Sequence, residues 1–436
     1  MTRRYAVLAG TAAICAVIAA PASAQVIRTR PFPGIFGSGD PAKSVTQVDF
    51  ISFIAGGFES VTASLDQGNF GSSSADNTFG NLAFRGRVAH QGRRTVFGGQ
   101  AAASTSYFSE TALAPFTYSA GASFSGAFGR HSTFSLRQNL YYSPYYVLGS
   151  LTPATVDGSD PTPETIEDGV DPRIDQRASR LSTRGYASFA SVGTQAGRDG
   201  TLFAAYTFSY TDYAPGVYDL MIHAPRGGYR HRLSRFSYLN ASYGITTYEY
   251  RASGYSRFTS QDVSAGVGYD RPLSAWRRTT VGFNMSTAIV DDGGFTRFYL
   301  NGNARIYRRF GRTWLAGVNY LRGQQVYEGF AAPFFTFTDA VSGTFSGRLA
   351  RDISLSGRAS YSHNRYTVDQ IRNEFDTLAG SVRVQVPVMW ALSFYVEGYF
   401  AEHDFEGRVG LLERVPTSLD RFGTRAGLTV SVPVLR

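Results

Sequence analysis

Thr296-Arg297-Phe298-Tyr299-Leu300-Asn301-Gly302-Asn303-Ala304-Arg305-Ile306-Tyr307 is the stretch that decides the fold class. Successive side chains of an extended strand point to opposite sides. Arg297, Tyr299, Asn301, Asn303 and Arg305 therefore share one face, and Phe298, Leu300, Ala304 and Ile306 share the other. The same split recurs toward the C-terminus. Ser354, Ser356, Arg358, Ser360, Ser362 and Asn364 oppose Ile353, Leu355, Ala359 and Tyr361. Thr377, Ser381, Arg383 and Gln385 oppose Leu378, Val382, Val384 and Val386. Arg421, Arg425, Thr429 and Ser431 oppose Phe422, Leu428, Val430, Val432 and Val434.

Alternation alone does not separate a membrane barrel from a soluble sandwich, because both bury one face of each strand. The breaks between strands do. The pattern predicts strands at 47–65, 79–91, 95–109, 116–128, 132–143, 182–195, 201–213, 222–231, 235–250, 256–269, 277–290, 294–308, 312–327, 334–349, 353–366, 374–387, 391–402 and 420–434. That is eighteen, with sixteen as the alternative because the region around 214–231 is weakly patterned. Every even-numbered strand is followed by a short turn, among them Gly92-Arg93-Arg94, Gly129-Arg130-His131, Gly197-Arg198-Asp199-Gly200, His231-Arg232, Asp270-Arg271-Pro272, Phe310-Gly311-Arg312, Arg351-Asp352 and Pro387-Val388-Met389-Trp390. Gly and Asp supply the backbone freedom such turns need. Odd-numbered strands end in longer, Asp/Gly/Pro/Ser-rich breaks, the longest being 144–181. Tight turns at one rim and longer loops at the other, with an even strand count, are the signature of a transmembrane antiparallel up-and-down β-barrel. Small polar residues on the polar faces point the same way.

The N-terminal segment reads as a signal peptide. Arg3 and Arg4 precede the apolar run Ala6 to Ala20, and Ala22-Ser23-Ala24 supplies an A-x-A site, so cleavage is expected between Ala24 and Gln25. The domain expectation is thus a signal peptide at 1–24, a Pro- and Gly-rich periplasmic lead-in at 25–46 and an outer-membrane barrel at 47–436. The lead-in is too short for a plug domain. The one cysteine, Cys15, lies in the signal segment, which leaves the exported chain without a disulfide or thiol nucleophile. No later stretch has the roughly 18 consecutive apolar residues of a membrane helix. Mean hydropathy is −0.16, yet aromatics reach 14%, as suits a barrel with a lipid-facing wall and a polar interior. Tyr107-Phe108, Tyr141-Tyr142, Tyr145-Tyr146, Tyr248 with Tyr250, Phe334-Phe335, Trp276, Trp314 and Trp390 sit near strand ends, where girdle residues or cross-strand aromatic pairs are expected. The net charge of +9 is nearly all Arg, Lys43 being the one lysine, and it forms no block of the kind a nucleic-acid partner would require.

The whole of 47–436 resembles the bacterial outer-membrane β-barrels of the porin type. The closing stretch Gly427-Leu428-Thr429-Val430-Ser431-Val432-Pro433-Val434 is similar to the C-terminal assembly signal of that class, although the chain ends Leu435-Arg436 where such proteins end in Phe or Trp. The resemblance implies outer-membrane lipid and the barrel-assembly machinery as partners, and short turns on the periplasmic side would put both termini in the periplasm. It further implies passive diffusion of small hydrophilic solutes, with no reaction and no cofactor. A conduit for polysaccharide or other polymer export, with Tyr299 and Tyr366 stacking on sugar rings, and a closed structural or surface-binding barrel are the alternatives.

Two groups of residues are candidates for selectivity. Arg85, Arg87, Arg137, Arg184, Arg297, Arg305, Arg348, Arg358, Arg383, Arg421 and Arg425 are expected to face the lumen, where rings of Arg favour anions. The other reading pairs each with a lumenal acid. Asp157, Asp160, Glu164, Glu167, Asp168, Asp171 and Asp175 crowd the third long loop. In porins that loop folds inward, so the resemblance implies a constriction of acids facing arginines; a mobile acidic surface loop is the alternative. The six histidines, His90, His131, His223, His231, His363 and His403, are scattered and form no metal or catalytic pattern, so no metal site and no enzyme are expected. His403, between Glu402 and Asp404, reads as a solvated loop residue.

Overall fold

The computed structural model describes residues 45–64, 73–92, 94–108, 116–129, 131–143, 183–213, 219–251, 255–272, 279–291, 296–327, 334–368, 371–406 and 418–435. The signal segment with Ala24 and Gln25, the lead-in up to residue 44, and the acidic loop carrying Asp157, Asp160, Glu164, Glu167, Asp168, Asp171 and Asp175 lie outside them.

Eighteen strands follow one another. They are β1 (Val45–Ser64), β2 (Ser73–Gln91), β3 (Thr95–Phe108), β4 (Phe116–Phe128), β5 (Ser132–Ser143), β6 (Thr183–Ala196), β7 (Gly200–Tyr213), β8 (Asp219–Arg232) and β9 (Ser237–Arg251). Then come β10 (Tyr255–Pro272), β11 (Thr279–Asp291), β12 (Thr296–Phe310), β13 (Trp314–Tyr327), β14 (Phe334–Arg348), β15 (Ser354–Val368), β16 (Ile371–Met389), β17 (Leu392–Glu406) and β18 (Ser418–Leu435). Each pairs antiparallel with its neighbours in sequence, and β1 pairs with β18 from Val48–Leu435 to Ser64–Ser418. Closure leaves no edge strand in the sheet, which is the condition for strands to cross a membrane. Val45 pairs with Gln91 and Val48 with Leu435, so both ends of the described chain lie at the rim of the short turns.

Alternation sets the two faces. Phe50, Ile54, Phe84, Leu140, Val192, Leu202, Leu239, Val263, Met285, Phe298, Ile306, Val318, Val382 and Leu428 form an exposed apolar outer surface. A water-soluble monomer rarely exposes an apolar patch beyond a few hundred Å². This belt runs around the whole wall and needs lipid against it. Phe128, Phe310, Leu349, Val388, Met389 and Trp390 crowd the short-turn rim and are exposed there, with Trp314 beside them.

The turns show why particular residues occupy them. Gly129, Gly197 and Gly311 have φ of 71°, 77° and 59°, and open space surrounds each, so backbone conformation and not crowding selects glycine. Three expected turns shift. β8 carries His231 and Arg232 in the ladder, and the turn is residues 233–236, where the Ser234 hydroxyl accepts from the backbone N–H of Phe236 and Ser237. Asp270, Arg271 and Pro272 stay in β10, paired with Gly282, Val281 and Thr280. β16 runs on to Met389, and the register slips between Pro387 and Met389, where proline has no N–H for the ladder.

Candidate functional site: the inner wall of the barrel

The inner face divides into a sealed side and an open side. The sealed side comprises β14–β18 with β1 and β2. Its centre is Glu397 on β17, whose Oε2 accepts from Arg383 Nη2 at 2.7 Å and Nε at 2.9 Å, and from Arg425 Nη2 at 2.9 Å. Glu397 is 2% exposed and Arg425 5%. Strand pairing aligns the three: Arg383 is opposite Glu397, and Glu397 is opposite Arg425. A carboxylate shared by two guanidiniums has its charge compensated, which is what allows it to be buried. The guanidinium of Arg383 also lies over the Tyr395 ring, 4.6 Å from its centroid.

One strand further, Arg421 Nε lies 2.7 Å from Glu59 Oε1, an ion pair across the β1–β18 seam that closes the barrel. Toward the long-loop rim, Thr338, Ser362, Asn364 and Thr377 have no exposed surface. Asn364 accepts from Thr338 at 2.8 Å and donates to Ser362 at 3.0 Å. Phe375, Tyr395 and Tyr399 are buried on this inner face as well. Tyr399 lies across Gly423, where a Cβ would overlap the ring. The alternation promised a watery inner face here; the side chains pack against one another instead.

His403 is a correction of its own. It lies in β17, opposite Thr377, and is 6% exposed. Its Nδ1 is 3.1 Å from the Thr377 hydroxyl. The strand continues past the expected end at 402 because Asp404 still pairs with Asp376 and Ser418.

The open side spans β4–β13, with Leu220, Tyr248 and Ser264 buried on its inward rows. Arg137, Arg226, Arg230 and Arg305 are exposed on its inward rows. Arg226 donates to Ser264 at 3.1 Å and Ser242 at 3.2 Å, and lies 3.5 Å from Asp262, with 46% and 36% of the two charged side chains exposed. The Arg230 guanidinium sits 4.7 Å from the Tyr238 ring centroid. Tyr307 donates to Asn319 at 3.0 Å.

Ladder registers place Arg85, Arg87, Arg137, Arg305, Arg348, Arg358, Arg383, Arg421 and Arg425 on inward rows. Arg85 is 8% and Arg421 9% exposed, so the list spans both sides of the wall. Arg297 lies in β12 opposite Val290; its side chain and that of Tyr366 fall outside the described residues. Arg184 is a correction. It is opposite Tyr142 and Asp212, shares its row with Val192, and its guanidinium stands 6.0 Å from the Tyr142 ring on the outer surface. Arg226 and Arg230 escaped the sequence reading because the inward row of β8 begins Leu220, Ile222, Ala224 and looks apolar. The period-two spacing from Ala224 to Arg226, Gly228 and Arg230 is the signal that would have found them.

The histidines are each engaged locally: His90 with Thr46, His131 with Gln195, His223 with Tyr206 and His363 with Asp376. No group of three or more His, Cys, Asp or Glu among the described residues is arranged to hold a metal.

No family model matches the chain, and no curated protein matches it. Solved structures similar to it include Pseudomonas aeruginosa OccK7 (OpdD), at 11% identity and TM-score 0.45, covering 90% of this chain and 100% of that one. Pseudomonas aeruginosa OccK2 (OpdF) is 9% identical with TM-score 0.43, covering 89% and 98%. Acinetobacter baumannii OccAB3 is 9% identical with TM-score 0.43, covering 89% and 99%. The barrel assignment itself rests on the closed ladder of this chain.

Proposed function

We propose that this chain is an outer-membrane channel of the porin type for passive diffusion of small hydrophilic solutes, with a mild preference for anions. The observation that carries the reading is the division of the inner wall. On the sealed side the acids Glu397 and Glu59 are matched to arginines and buried. On the open side Arg137, Arg226, Arg230 and Arg305 reach solvent. Charge exposed to a passing solute is therefore mainly positive, and solvent-exposed guanidiniums attract carboxylates and phosphates. The apolar belt supports residence in a bilayer, and the signal segment supports export with the short-turn rim and both termini in the periplasm. The wall provides a path and the lumenal charge a bias; the reading includes no enzymatic role and no cofactor.

Single-channel recording of the refolded chain from Gln25 to Arg436 in a planar bilayer under a salt gradient tests this. Stable conductance steps with an anion-selective reversal potential are expected. Silence from a folded, heat-modifiable barrel would sink passive diffusion and favour the closed-barrel or gated polymer-export alternative.

A further inference from the structure

The ladder between β12 and β13 stops short. Pairing runs from Phe310–Trp314 at the short-turn rim to Gly302–Arg322. Beyond that point β12 continues back to Thr296 on bonds to β11, and β13 continues to Tyr327 on bonds to β14. Carried on in register, residues 297–301 would face 323–327; the two runs part instead, each held only by its other neighbour. No other seam among the described ladders leaves so long a run of facing strand residues unjoined. Unpaired strand backbone is costly against hydrocarbon and is tolerated where it lines a cavity or passage.

The side chains at the parting belong to both faces of the wall. Tyr299 lies on the inward row of β12, opposite Ala288, while Phe337 shares the outward row of β14 with Asp339 and Val341. Their rings nevertheless stack, with centroids 5.1 Å apart and planes at 20°. Tyr299 thus reaches past β13 through the open fork. Arg322 and Arg365 place guanidiniums 5.0 and 5.2 Å from the Phe337 centroid, and both pair with Asp339, at 3.5 and 2.8 Å. Arg365 also stands opposite Glu374 in the β15–β16 ladder, and the buried Nε atoms of Arg322 and Arg365 have no hydrogen-bond partner among the described residues, so each keeps a donor to offer. The next acids along the belt, Glu374 and Asp376, face His363 at 3.8 and 2.7 Å. Phe298 and Leu300 present exposed apolar surface beside the gap. On the lumen side, Asn301 Oδ1 is buried with no hydrogen-bond partner among the described residues, and the space a Cβ of Gly323 would enter is open.

We propose that the outer part of the β12–β13 seam is a lateral portal between the lumen and the lipid side, stoppered by Tyr299 on Phe337, and that it takes an amphipathic anion: an acyl or aryl chain bearing a carboxylate head. The chain would lie along Phe298, Leu300 and the stacked rings. The head would meet Arg322 and Arg365. The proposal rests on the channel reading for a solvent-filled lumen.

The test uses the refolded chain in lipid nanodiscs with a diazirine-bearing long-chain carboxylate and, separately, its methyl ester. Photolabelled peptides are mapped for the wild type, Tyr299→Ala, and the pair Arg322→Gln with Arg365→Gln. Heat-modifiable gel mobility verifies that each variant is folded. Expected is carboxylate label concentrated in 296–301 and 323–327, several-fold above the rest of the belt. Tyr299→Ala should raise it several-fold, and the arginine pair should lower it to the ester level. Label spread evenly along the belt, or equal labelling of the seam by acid and ester, overturns the portal. Labelling needs no current, so seam labelling in a protein that conducts nothing would support the portal while defeating the diffusion reading.

Discussion

On β17, Glu397 sits between Arg383 and Arg425 with 2% of its side chain exposed; on β10, Asp262 meets Arg226 with 36% and 46% of the two side chains exposed. Both are acid–guanidinium contacts on the inner face of one barrel. They differ in what surrounds them. Around Glu397 the aromatic rings of Tyr395 and Tyr399 exclude water, so the charges act strongly on each other and hardly at all on the lumen. Around Arg226 water screens the pair and leaves the cation accessible. One wall uses its charge to hold strands together, and the other leaves its charge exposed to solvent.

Breaking the sealed wall should produce the largest effect. Glu397→Gln leaves two guanidiniums facing each other in a buried site, and removing one partner of a buried charge network costs about 3–5 kcal/mol. Urea titration followed by loss of heat-modifiable mobility should show that fall. A cost under about 1 kcal/mol, the size of an exposed pair, would mean that water reaches the cluster and the contrast between the walls is false. Gly423→Ala sharpens the same point with no change of charge. The added methyl must displace the Tyr399 ring, and overpacking of this kind costs about 1–3 kcal/mol. An unchanged denaturation midpoint would show the ring free to move aside.

The open wall should respond in the opposite way. Arg226→Gln should cost under about 1 kcal/mol, as for an exposed ion pair, and Asp262 would then stand in the lumen without its cation. The reversal potential in a salt gradient should move from anion-selective toward zero, with conductance steps retained. Unaltered selectivity would remove Arg226 from the solute path.

The alternation in 296–307 and 354–364 made the strands and their number legible without coordinates, and the break lengths distinguished the two rims. The region 214–231, too weakly patterned to settle, forms a full strand from Asp219 to Arg232. Sidedness was legible only where one row was plainly apolar. In β6 it was not: the inward row holds Gly185, Ala187 and Phe189, the outward row Arg184, Tyr186 and Ser188, so composition misplaces Arg184. His403 was misread for a related reason. Its neighbours Glu402 and Asp404 suggested a loop, but on a strand those acids point to the face opposite the imidazole.

Period-two hydrophobicity and the residues of the breaks are local properties, and together they were enough to set extended strands, their approximate ends, the turn glycines and a closed membrane wall. Which arginines meet an acid, which stay open to the lumen, and where a seam parts depend on register between strands remote in sequence. Glu59 and Arg421 are neighbours only because β1 closes on β18, and Tyr299 meets Phe337 only because β12 and β13 separate. A one-residue slip in either ladder would turn every side chain to the other face, so these contacts exist at the level of the assembled barrel and nowhere below it.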